Sequence, residues 1–372
     1  MKESQVKLFQ HSEIKVKLLK LYLERYLNIL TQSKYVGEIY VHDLFCGEGM
    51  YEEGGKGSPI IILETIKSIH IDNRFKQKRT GHFICHFNDF NSSKVEKLKK
   101  EIEKAKLFVE AMGKLYFTTE DYRVILPKIA KRVNRLEKEK AFIFIDPYGY
   151  KEISVKDIQA LLKCKKTEVL LFLPTQFMFR FERKGTPQSL KQFITELVPE
   201  DKWPNSETGI DFVENLTDAF RSKLGGDFFV DSFIITRDKN QFFCLFFFTS
   251  HIYGFDRMLD AKWQIDEEEG RGWHYEQEVP LFGGSEKKPN TDKFERSLKA
   301  FLREYRFNGE IYKFTLQNGH LPTHAIEILS RIQNDGHLEI VGSGEKPVRK
   351  GVFYIQYKEY RDDSKKIKIR IV

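Results

Sequence analysis

The sequence is poor in cysteine, and its cysteines are not spaced as ligands. Cys46, Cys85, Cys164 and Cys244 lie far apart, with no CxxC or CxH pattern. Structural zinc sites and disulfide scaffolds need close, regular spacing of such residues. The sequence therefore predicts neither a metal site nor disulfides, and the cysteines are expected to be buried in a protein of a reducing compartment.

A long apolar run is also missing. The most apolar stretches, residues 169–174 and 242–250, are far shorter than the roughly 20 residues of a membrane-spanning helix. No apolar segment follows a basic start, as it does in a secretion signal. We expect a soluble, cytoplasmic protein with no membrane partner.

Most of the chain lacks an excess of either charge. Residues 285–372 hold 18 Lys and Arg against 12 Asp and Glu, a net +6, so only +2 of the total +8 belongs to the first 284 residues. An anionic partner such as nucleic acid is therefore indicated mainly for the C-terminal quarter.

What the sequence does contain, after a helical N-terminal segment, is an alternation of β-rich runs and amphipathic helical patterns. The strand candidates are residues 38–45, 82–89, 115–118, 141–146 and 168–174. Continuous apolar strands that alternate with helices indicate a parallel sheet covered on both faces. The predicted fold class is α/β, with a doubly wound, Rossmann-like sheet.

The pattern changes after the fifth strand candidate. Residues 227–250 contain two long β-rich runs joined by a tight turn, with no helix between them. A dinucleotide-binding sheet usually continues with a crossover helix, whereas the class I methyltransferase sheet ends in an antiparallel pair of strands. The predicted hairpin favours the methyltransferase sheet.

A stretch rich in Gly, Pro and charge at residues 281–291 is typical of a linker. We therefore predict a methyltransferase-like domain over 1–284, which includes the N-terminal helical segment, and a winged-helix-like domain over 285–372. In the second domain, helical patterns precede a predicted hairpin at residues 337–360. Its basic loop, with Lys346, Arg349 and Lys350, and the terminal basic stretch KKIKIR would face nucleic acid or a protein partner.

Residues 41–50, VHDLFCGEGM, follow the first predicted strand. Gly47 and Gly49 have no Cβ and would let the backbone approach a cofactor closely, and Asp43 can accept a hydrogen bond from an ammonium group. S-adenosylmethionine (AdoMet) requires such a loop after the first strand. NAD stays open from two glycines alone, although the dinucleotide pattern needs a third glycine where this chain has Glu52.

Two further acids lie where later strands end. Asp89 ends the second predicted strand, where a carboxylate can bind ribose hydroxyls, and Asp121 follows the third, where it can accept from an adenine amino group. Each acid can instead cap the helix that begins next, at Ser92 or at Tyr122. Both roles stay open for both acids.

The sequence Asp146-Pro147-Tyr148 comes directly after the fourth predicted strand. The Asp146 carboxylate and the Pro147 carbonyl can accept hydrogen bonds from a planar amino group, and Tyr148 can stack on its ring. Holding an amino group at the cofactor's methyl carbon is what exocyclic N-methylation requires. A type I turn with Pro at its second position is the alternative. A cytosine-C5 mechanism would need Pro-Cys here, and Cys46 is better explained by packing.

These motifs together resemble the three-Cys-motif partner proteins (TcmP), a bacterial and phage-associated group with a methyltransferase-like domain. The resemblance covers most of the chain and is carried by HSEIKVKLLKLYLERYL, VHDLFCGEG, KGSPIIILE, FIFIDPYGY and GEIYKFTLQNGHLPTHAIEILSRIQNDG. More distantly, GSP looks like the ribosomal RNA adenine-N6 methyltransferases, and DPYG is similar to the DPFG of tRNA guanine-N2 methyltransferases. Both relatives methylate exocyclic amines of RNA bases.

The resemblance implies AdoMet as the cofactor, a three-Cys-motif protein as a partner, and an N-terminal lysine, Lys15, that approaches the active site. The predicted catalytic residues are Asp146, Pro147, Tyr148 and Lys15. The predicted cofactor-binding residues are Asp43, Phe45, Gly47, Gly49, Ser58, Asp89 and Asp121. Phe87 departs from the pattern, because the family more often has an acid two positions before Asp89.

Residues 175–192 follow the fifth predicted strand and interleave basic with aromatic side chains. These are Arg180, Arg183, Lys184, Phe177, Phe179 and Phe181. Such a segment suits a flipped or single-stranded base, and it equally suits a lid that packs its phenylalanines inward.

Two hypotheses follow from the sequence, and the weak charge of the first 284 residues also permits a small-molecule or protein substrate. The first is an AdoMet-dependent N-methyltransferase that acts on an exocyclic amino group of a nucleic-acid base, in RNA or DNA. The alternative is a non-catalytic adaptor or regulator, in which the methyltransferase-like domain serves a three-Cys-motif partner and the winged helix binds DNA or protein.

Overall fold

The computed structural model describes residues 3–51, 54–147, 153–184, 188–238, 241–274, 288–342 and 348–372. The chain divides into two compact units. The first comprises Met1–His251 and Arg271–Glu278, and the second comprises Ile252–Gly270 and Val279–Val372. The predicted boundary between residues 284 and 285 lies outside the described residues and stays a prediction.

The first unit is built on one large sheet. Its strands, within the described residues, are β1 (Glu38–Asp43), β2 (His82–Asn88), β3 (Gly113–Thr118), β4 (Lys140–Ile145), β5 (Thr167–Leu173), β6 (Phe229–Asp238), β7 (Gln241–Thr249) and β8 (Gly272–His274). Their order across the sheet is β3-β2-β1-β4-β5-β7-β6-β8.

The pairing of the strands agrees with the prediction of a mostly parallel sheet that ends antiparallel. β1 pairs in parallel with β2 on one side and β4 on the other, and β4 pairs in parallel with β5. β7 pairs antiparallel with both β5 and β6, so the hairpin predicted at 227–250 is confirmed. β8 adds a short strand parallel to β6.

Helices cover both faces of this sheet. They are α1 (Glu3–Gln32), α2 (Ser58–Phe75), α3 (Ser92–Lys104), α4 (Tyr122–Val133), α5 (Val155–Leu162), α6 (Thr175–Lys184), α7 (Gln188–Leu197) and α8 (Gly209–Leu224). Successive strand residues point to opposite faces. Tyr40, Ile84 and Ile143 therefore belong to the core under α4, α5 and α8, whereas Phe142 and Phe247 pack against Tyr22 of α1.

A buried carboxyl group connects α1 to the sheet. The Tyr22 hydroxyl donates to Glu168 on β5, and the Thr249 hydroxyl on β7 donates to Glu168 Oε1 at 2.8 Å. The pKa of Glu168 is about 7, because burial raises it by more than the hydrogen bonds from Tyr22 and Thr249 lower it. Glu168 is therefore held in the folded protein with a pKa above its ordinary value.

The second unit has its own small sheet. Its elements are α9 (Ile252–Trp263), α10 (Asp292–Phe301), β9 (Arg306–Phe307), α11 (Asn308–Gln317), α12 (Pro322–Asn334), β10 (Leu338–Gly342), α13 (Tyr357–Arg361) and β11 (Ile367–Ile371). The strands are antiparallel in the order β10-β11-β9. The core includes Ala325, Ile328, Leu329 and Ile332 of α12, all buried as their helical spacing predicts.

The hairpin predicted at residues 337–360 is wrong in its second strand. β10 pairs with β11, which lies in the basic C-terminal stretch, and not with residues 352–357. Tyr354 has a φ of 53°, which an extended strand does not permit. Phe353 and Ile355 are buried instead as core residues before α13. None of the helices in the described ranges has the length and apolarity needed to cross a membrane.

We expect Glu168→Gln to remove a pH dependence of stability. The raised folded pKa favours the protonated carboxyl, so its stabilising effect is complete below about pH 4.5 and is lost as the pH rises through about 7. Relative to Glu168→Gln, the wild-type free energy of unfolding should fall over this range by a few kcal/mol, about 1.4 kcal/mol for each unit of pKa shift. Urea unfolding at several pH values measures the difference.

Glu214→Gln is the matched control, because Glu214 is half-exposed and pairs with Arg271 at 3.4 Å. This variant should follow the wild-type curve. Parallel curves for the wild type and Glu168→Gln would contradict the assignment of a raised pKa to Glu168.

Candidate active site

Acidic residues gather at the carboxyl edge of the central strands. Asp43 is the last residue of β1, Asp89 follows the end of β2, and Asp146 follows the end of β4. β1 lies between β2 and β4, and all three are parallel. The carboxyl ends of such strands meet at one edge, which is where open α/β sheets bind ligands.

Asp43 is fully buried at this edge and one of its oxygens has no partner. Oδ1 accepts a hydrogen bond from the Phe45 N–H at 3.2 Å. Oδ2 accepts no hydrogen bond of ordinary geometry from any described group. The pKa of Asp43 is about 7, because burial raises it by more than the Ser58 hydroxyl and the Phe45 N–H lower it. A buried acceptor without a donor is costly, and an ammonium group of a ligand would supply the missing bond.

The two glycines after β1 lack a side chain for different reasons. Gly47 has a φ of 61°, and a Cβ there would meet nothing within 4 Å, so its backbone faces open space. Gly49 has a φ of 81°, and a Cβ would lie 2.5 Å from Leu98 of α3. Gly47 therefore leaves room for a ligand, whereas Gly49 is required by packing as well as by its backbone conformation.

The loop from β1 returns so that α2 begins beside the strand end. The Gly57 N–H donates to the Gly49 carbonyl at 2.7 Å. Ser58, the first residue of α2, is buried, and its hydroxyl lies close enough to the Asp43 carboxyl to lower its pKa. The loop thus brings two of the predicted cofactor residues, Asp43 and Ser58, into one place.

Asp89 is held by backbone N–H groups on both oxygens. Oδ2 accepts from Gly47 at 3.1 Å, and Oδ1 accepts from Asn91 at 2.8 Å. The helix that follows is capped by Asn91, whose side chain accepts from the Ser93 N–H. Asp89 therefore is not the helix cap, and it fixes Gly47 of the glycine loop. Its contact with ribose stays a prediction.

Asp121 caps the N-terminus of α4, which was one of the two roles that the sequence left open for it. Its Oδ1 accepts from the Arg123 N–H at 2.8 Å, and the Arg123 guanidinium pairs with Oδ2 at 2.8 Å. The hydrogen bonds from Arg123 lower the pKa of Asp121 to about 2. An acceptor role toward adenine, in addition to capping, stays a prediction.

Lys15 of α1 forms an ion pair with Asp146. The two side chains are 8% and 21% exposed. The Lys15 Nζ also lies over the Phe172 ring, 4.7 Å from its centroid. Burial lowers the pKa of Lys15, but the Asp146 carboxylate and other nearby groups together raise it by more than burial lowers it. The net shift of the pKa is therefore upward. The structure thus brings the predicted lysine to the predicted acceptor.

The other two residues of the predicted catalytic motif are Pro147 and Tyr148. Pro147 is buried directly after Asp146. Tyr148 lies outside the described residues, so its predicted stacking role stays a prediction. Phe45, a predicted cofactor residue, stacks its ring on Tyr122 of α4 with centroids 5.1 Å apart.

Asn88 organises the site, and the sequence pointed to it only as a neighbour of Asp89. Its Nδ2 donates to the carbonyls of Leu44 and Glu120 at 3.2 and 3.0 Å. Its Oδ1 accepts from the Thr118 hydroxyl at 2.7 Å and from the Glu120 N–H at 3.1 Å. One side chain therefore joins the ends of β1, β2 and β3. The only sequence feature that indicated this role of Asn88 was an amide side chain at the end of an apolar strand.

The aromatic segment on α6 is divided between inward and outward side chains. Phe179 packs against Phe212 and Phe242, with centroids 5.8 and 6.1 Å apart. Phe177 is 47% exposed, and Arg180 is exposed. The side chains of Phe181, Arg183 and Lys184 lie outside the described residues.

A cavity of about 600 Å³ lies beside this segment. Its lining includes Phe179, Arg180, Ile210, Thr236, Phe242 and His274. Thr236 of β6 lies opposite Phe242 of β7 and His274 of β8. The last residue of β5 pairs with Cys244 of β7, so Phe242 lies two residues past the carboxyl end of β5. The cavity therefore opens at the carboxyl edge of β5, the same edge that carries Asp146.

Comparisons with known proteins give similar structures and no family. No family model matches the chain, and no curated protein matches it in sequence. The resemblance to TcmP therefore stays a prediction.

Among solved structures, the O-methyltransferase TomG from Streptomyces achromogenes, solved with S-adenosylmethionine, has 12% identity and a TM-score of 0.36 over 67% of this chain and 91% of its own. An O-methyltransferase from Bacillus cereus, solved with S-adenosylhomocysteine, has 13% identity and a TM-score of 0.32 over 62% and 80%. The methyltransferase domain of bacterial CtHen1 has 15% identity and a TM-score of 0.29 over 62% and 98%.

We expect Asn88→Asp to destabilise the protein strongly. The change keeps the shape but removes both donors to Leu44 and Glu120 and adds a buried negative charge beside Asp89. Unsatisfied buried carbonyls and an unpaired charge should cost more than about 2 kcal/mol. Urea unfolding at pH 7 measures it. The exposed Asn134, whose side chain donates to Ala160 at 3.0 Å, provides the control Asn134→Asp, which should cost under about 1 kcal/mol. Equal losses for both variants would contradict the organising role of Asn88.

Proposed function

We propose that the protein is an AdoMet-dependent N-methyltransferase that acts on an exocyclic amino group of a nucleic-acid base, in RNA or DNA. The observation that carries the proposal is the buried Asp43 carboxylate, one oxygen of which has no hydrogen-bond partner among the described residues, close to the Lys15–Asp146 pair at the carboxyl edge of the sheet. One acid is suited to bind a cationic cofactor, and the other to receive an amine.

The residues at this edge fit AdoMet. The cofactor's ammonium would complete the hydrogen bonds of Asp43 Oδ2, and its methionine portion would pass over Gly47, where there is open space. Asp89, which already holds the Gly47 N–H of the loop, would accept from ribose hydroxyls. Phe45, Gly49, Ser58 and Asp121 complete the proposed set. When bound, AdoMet supplies an activated methyl group.

On the acceptor side, Asp146 would orient the substrate. Lys15 occupies Oδ2 of this carboxylate, and Oδ1 would accept one amino hydrogen of the base. The Pro147 carbonyl would accept the second hydrogen, and Tyr148 would stack on the ring. Because Lys15 pairs with one oxygen, Asp146 would act through the other as a hydrogen-bond acceptor that positions the amine.

The cavity beside α6 is proposed to hold part of the nucleic acid. Phe179 and Phe242 offer ring surfaces for stacking, and Arg180 offers a charge for a phosphate. The second unit is proposed to be a winged helix that adds to nucleic-acid binding or docks a three-Cys-motif protein. The support for a winged helix is that α11 and α12 are followed by the antiparallel pair β10–β11, with β9 as the third strand.

The adaptor hypothesis has one observation in its favour. Lys15 already satisfies one oxygen of Asp146, as it would in a domain kept only for its shape. The unpartnered oxygen of Asp43 favours the enzyme, because a structural role would not retain it.

We expect AdoMet affinity to depend on the protonation of Asp43. Its pKa near 7 means that the carboxyl must lose a proton to accept the ammonium, so affinity should fall up to about tenfold for each pH unit below 7. Asp43→Asn should weaken binding by about tenfold or more at pH 7.5 and abolish this pH dependence. Calorimetric titration with AdoMet at several pH values measures both.

Asp72→Asn makes the same chemical change at an exposed position on α2 and should leave affinity and its pH dependence intact. Binding by Asp43→Asn as tight as that of the wild type would remove Asp43 from the cofactor site.

We expect Asp146→Asn to lower methyl transfer by orders of magnitude while AdoMet affinity stays nearly unchanged, because Asp146 positions the acceptor. The variant leaves the Lys15 charge without its partner, so Lys15→Met/Asp146→Asn should be assayed beside it. Transfer of a labelled methyl group from AdoMet to total RNA and to total DNA, followed by nucleoside analysis, measures the effect and identifies the base.

Asp227→Asn serves as the control, since Asp227 pairs with Lys165 at 2.6 Å on the surface. Wild-type activity in both Asp146 variants would show that this acid has no part in catalysis.

A further inference from the structure

The C-terminal half of α4 and the turn that follows it concentrate positive charge around one groove. Lys128, Lys131 and Arg132 follow the spacing i, i+3, i+4 on one side of α4, and Arg135 lies in the turn that comes directly after the helix ends at Val133. Together with Tyr40 and Leu136 they line an open groove of about 360 Å³, here called the α4 groove.

The charge of this segment exceeds that of its surroundings. Residues 122–140 hold seven Lys and Arg against two Glu, a net +5, whereas residues 1–284 as a whole carry +2. The other residues of 1–284 therefore sum to −3. The net charge of residues 1–284 therefore hides a basic segment at residues 122–140.

The groups that face these cations neutralise only part of the charge. Lys128 pairs with Glu120 at 2.6 Å. The Arg132 guanidinium lies over the Tyr40 ring, 4.9 Å from its centroid, and the Tyr40 hydroxyl donates to Glu38 at 2.9 Å.

Lys131 and Arg135 are exposed, and neither forms an ion pair with a side chain in the described part of the chain. The groove thus keeps a surplus of positive charge after its own contacts are made.

The exposure of the cations indicates the kind of anion they suit. A single small anion gains little from exposed lysines and arginines, because water and salt screen the attraction. A polyanion gains from each contact, because every neutralised phosphate releases condensed counterions. Lys128 and Arg132 are about 6 Å apart along the helix axis, since each residue rises about 1.5 Å, and Arg135 continues the row past the end of the helix. A row of this length matches consecutive phosphates better than one.

We propose that the α4 groove binds the sugar-phosphate backbone of a nucleic acid. This inference rests on the nucleic-acid substrate of the proposed function, and it adds the surface that holds the polymer away from the reacting base. α4 begins at the carboxyl edge, where Asp121 caps it, and returns along the sheet to the start of β4. Arg132 lies about 15 Å along the helix from its first residue, so the groove contacts the backbone several nucleotides from the site at Asp146.

The test is the salt dependence of binding by the full chain. The probes are a fluorescein-labelled single-stranded RNA, a single-stranded DNA and a duplex DNA of the same sequence, measured by anisotropy between about 50 and 200 mM salt. For K131Q/R132Q/R135Q, the slope of log affinity against log salt should become shallower by about 2 for the single strands or about 3 for the duplex, whichever binds best.

Two further variants separate the groove from net charge and from folding. R74Q/K76Q/K78Q makes the same charge change at exposed cations at the end of α2, and it should keep the wild-type slope. K131R/R132K/R135K retains the charges and should also keep it. Thermal unfolding of each variant checks that the fold is intact.

A wild-type slope in K131Q/R132Q/R135Q, or an equal loss in R74Q/K76Q/K78Q, would overturn the proposal, as would a wild-type chain that binds none of the three probes. Calorimetry with AdoMet reports separately on the methyltransferase. If AdoMet does not bind but the slope still depends on the α4 cations, the enzyme proposal fails and the nucleic-acid surface stands.

Discussion

The burial of the Asp43 carboxylate at the end of the central strand is the constraint on which the candidate site depends. β1 is paired on both sides, so its last residue cannot turn to solvent. Burial raises the pKa of Asp43, which is about 7, and one oxygen has no donor within the part of the chain that the structure describes. A protein that keeps such a group gives up stability, which a cationic ligand would return.

The surroundings of Asp43 are fixed by the protein's own bonds. Asp89 accepts from the Gly47 N–H, and Asn88 joins the ends of three strands. Leu98 packs where Gly49 has no side chain. A loop ordered in this way loses little further conformational entropy when a ligand binds, which favours a site for a small flexible cofactor.

Charge is divided between two regions of the first unit. At the carboxyl edge, the Lys15–Asp146 pair is largely buried and balanced. On α4, the cations are exposed and mostly uncompensated. Buried, paired charges give geometric precision, and exposed charges give affinity for a polymer without reading its sequence. The proposed function uses both regions, the first to position the reacting group and the second to hold the polymer.

The sequence by itself determined the strands β1 to β5, the hairpin of β6 and β7, and the acids at strand ends, because hydrophobic periodicity and strand termini are local properties. It left open whether Asp121 and Asp89 cap helices, and it misplaced the partner of β10. Only the tertiary structure decided that Asn91 caps α3, that β11 pairs with β10, and that Lys15 meets Asp146 across 131 positions of the chain. Each of these depends on which distant segments come together, and that is set by packing of the whole unit rather than by the spacing of neighbouring residues.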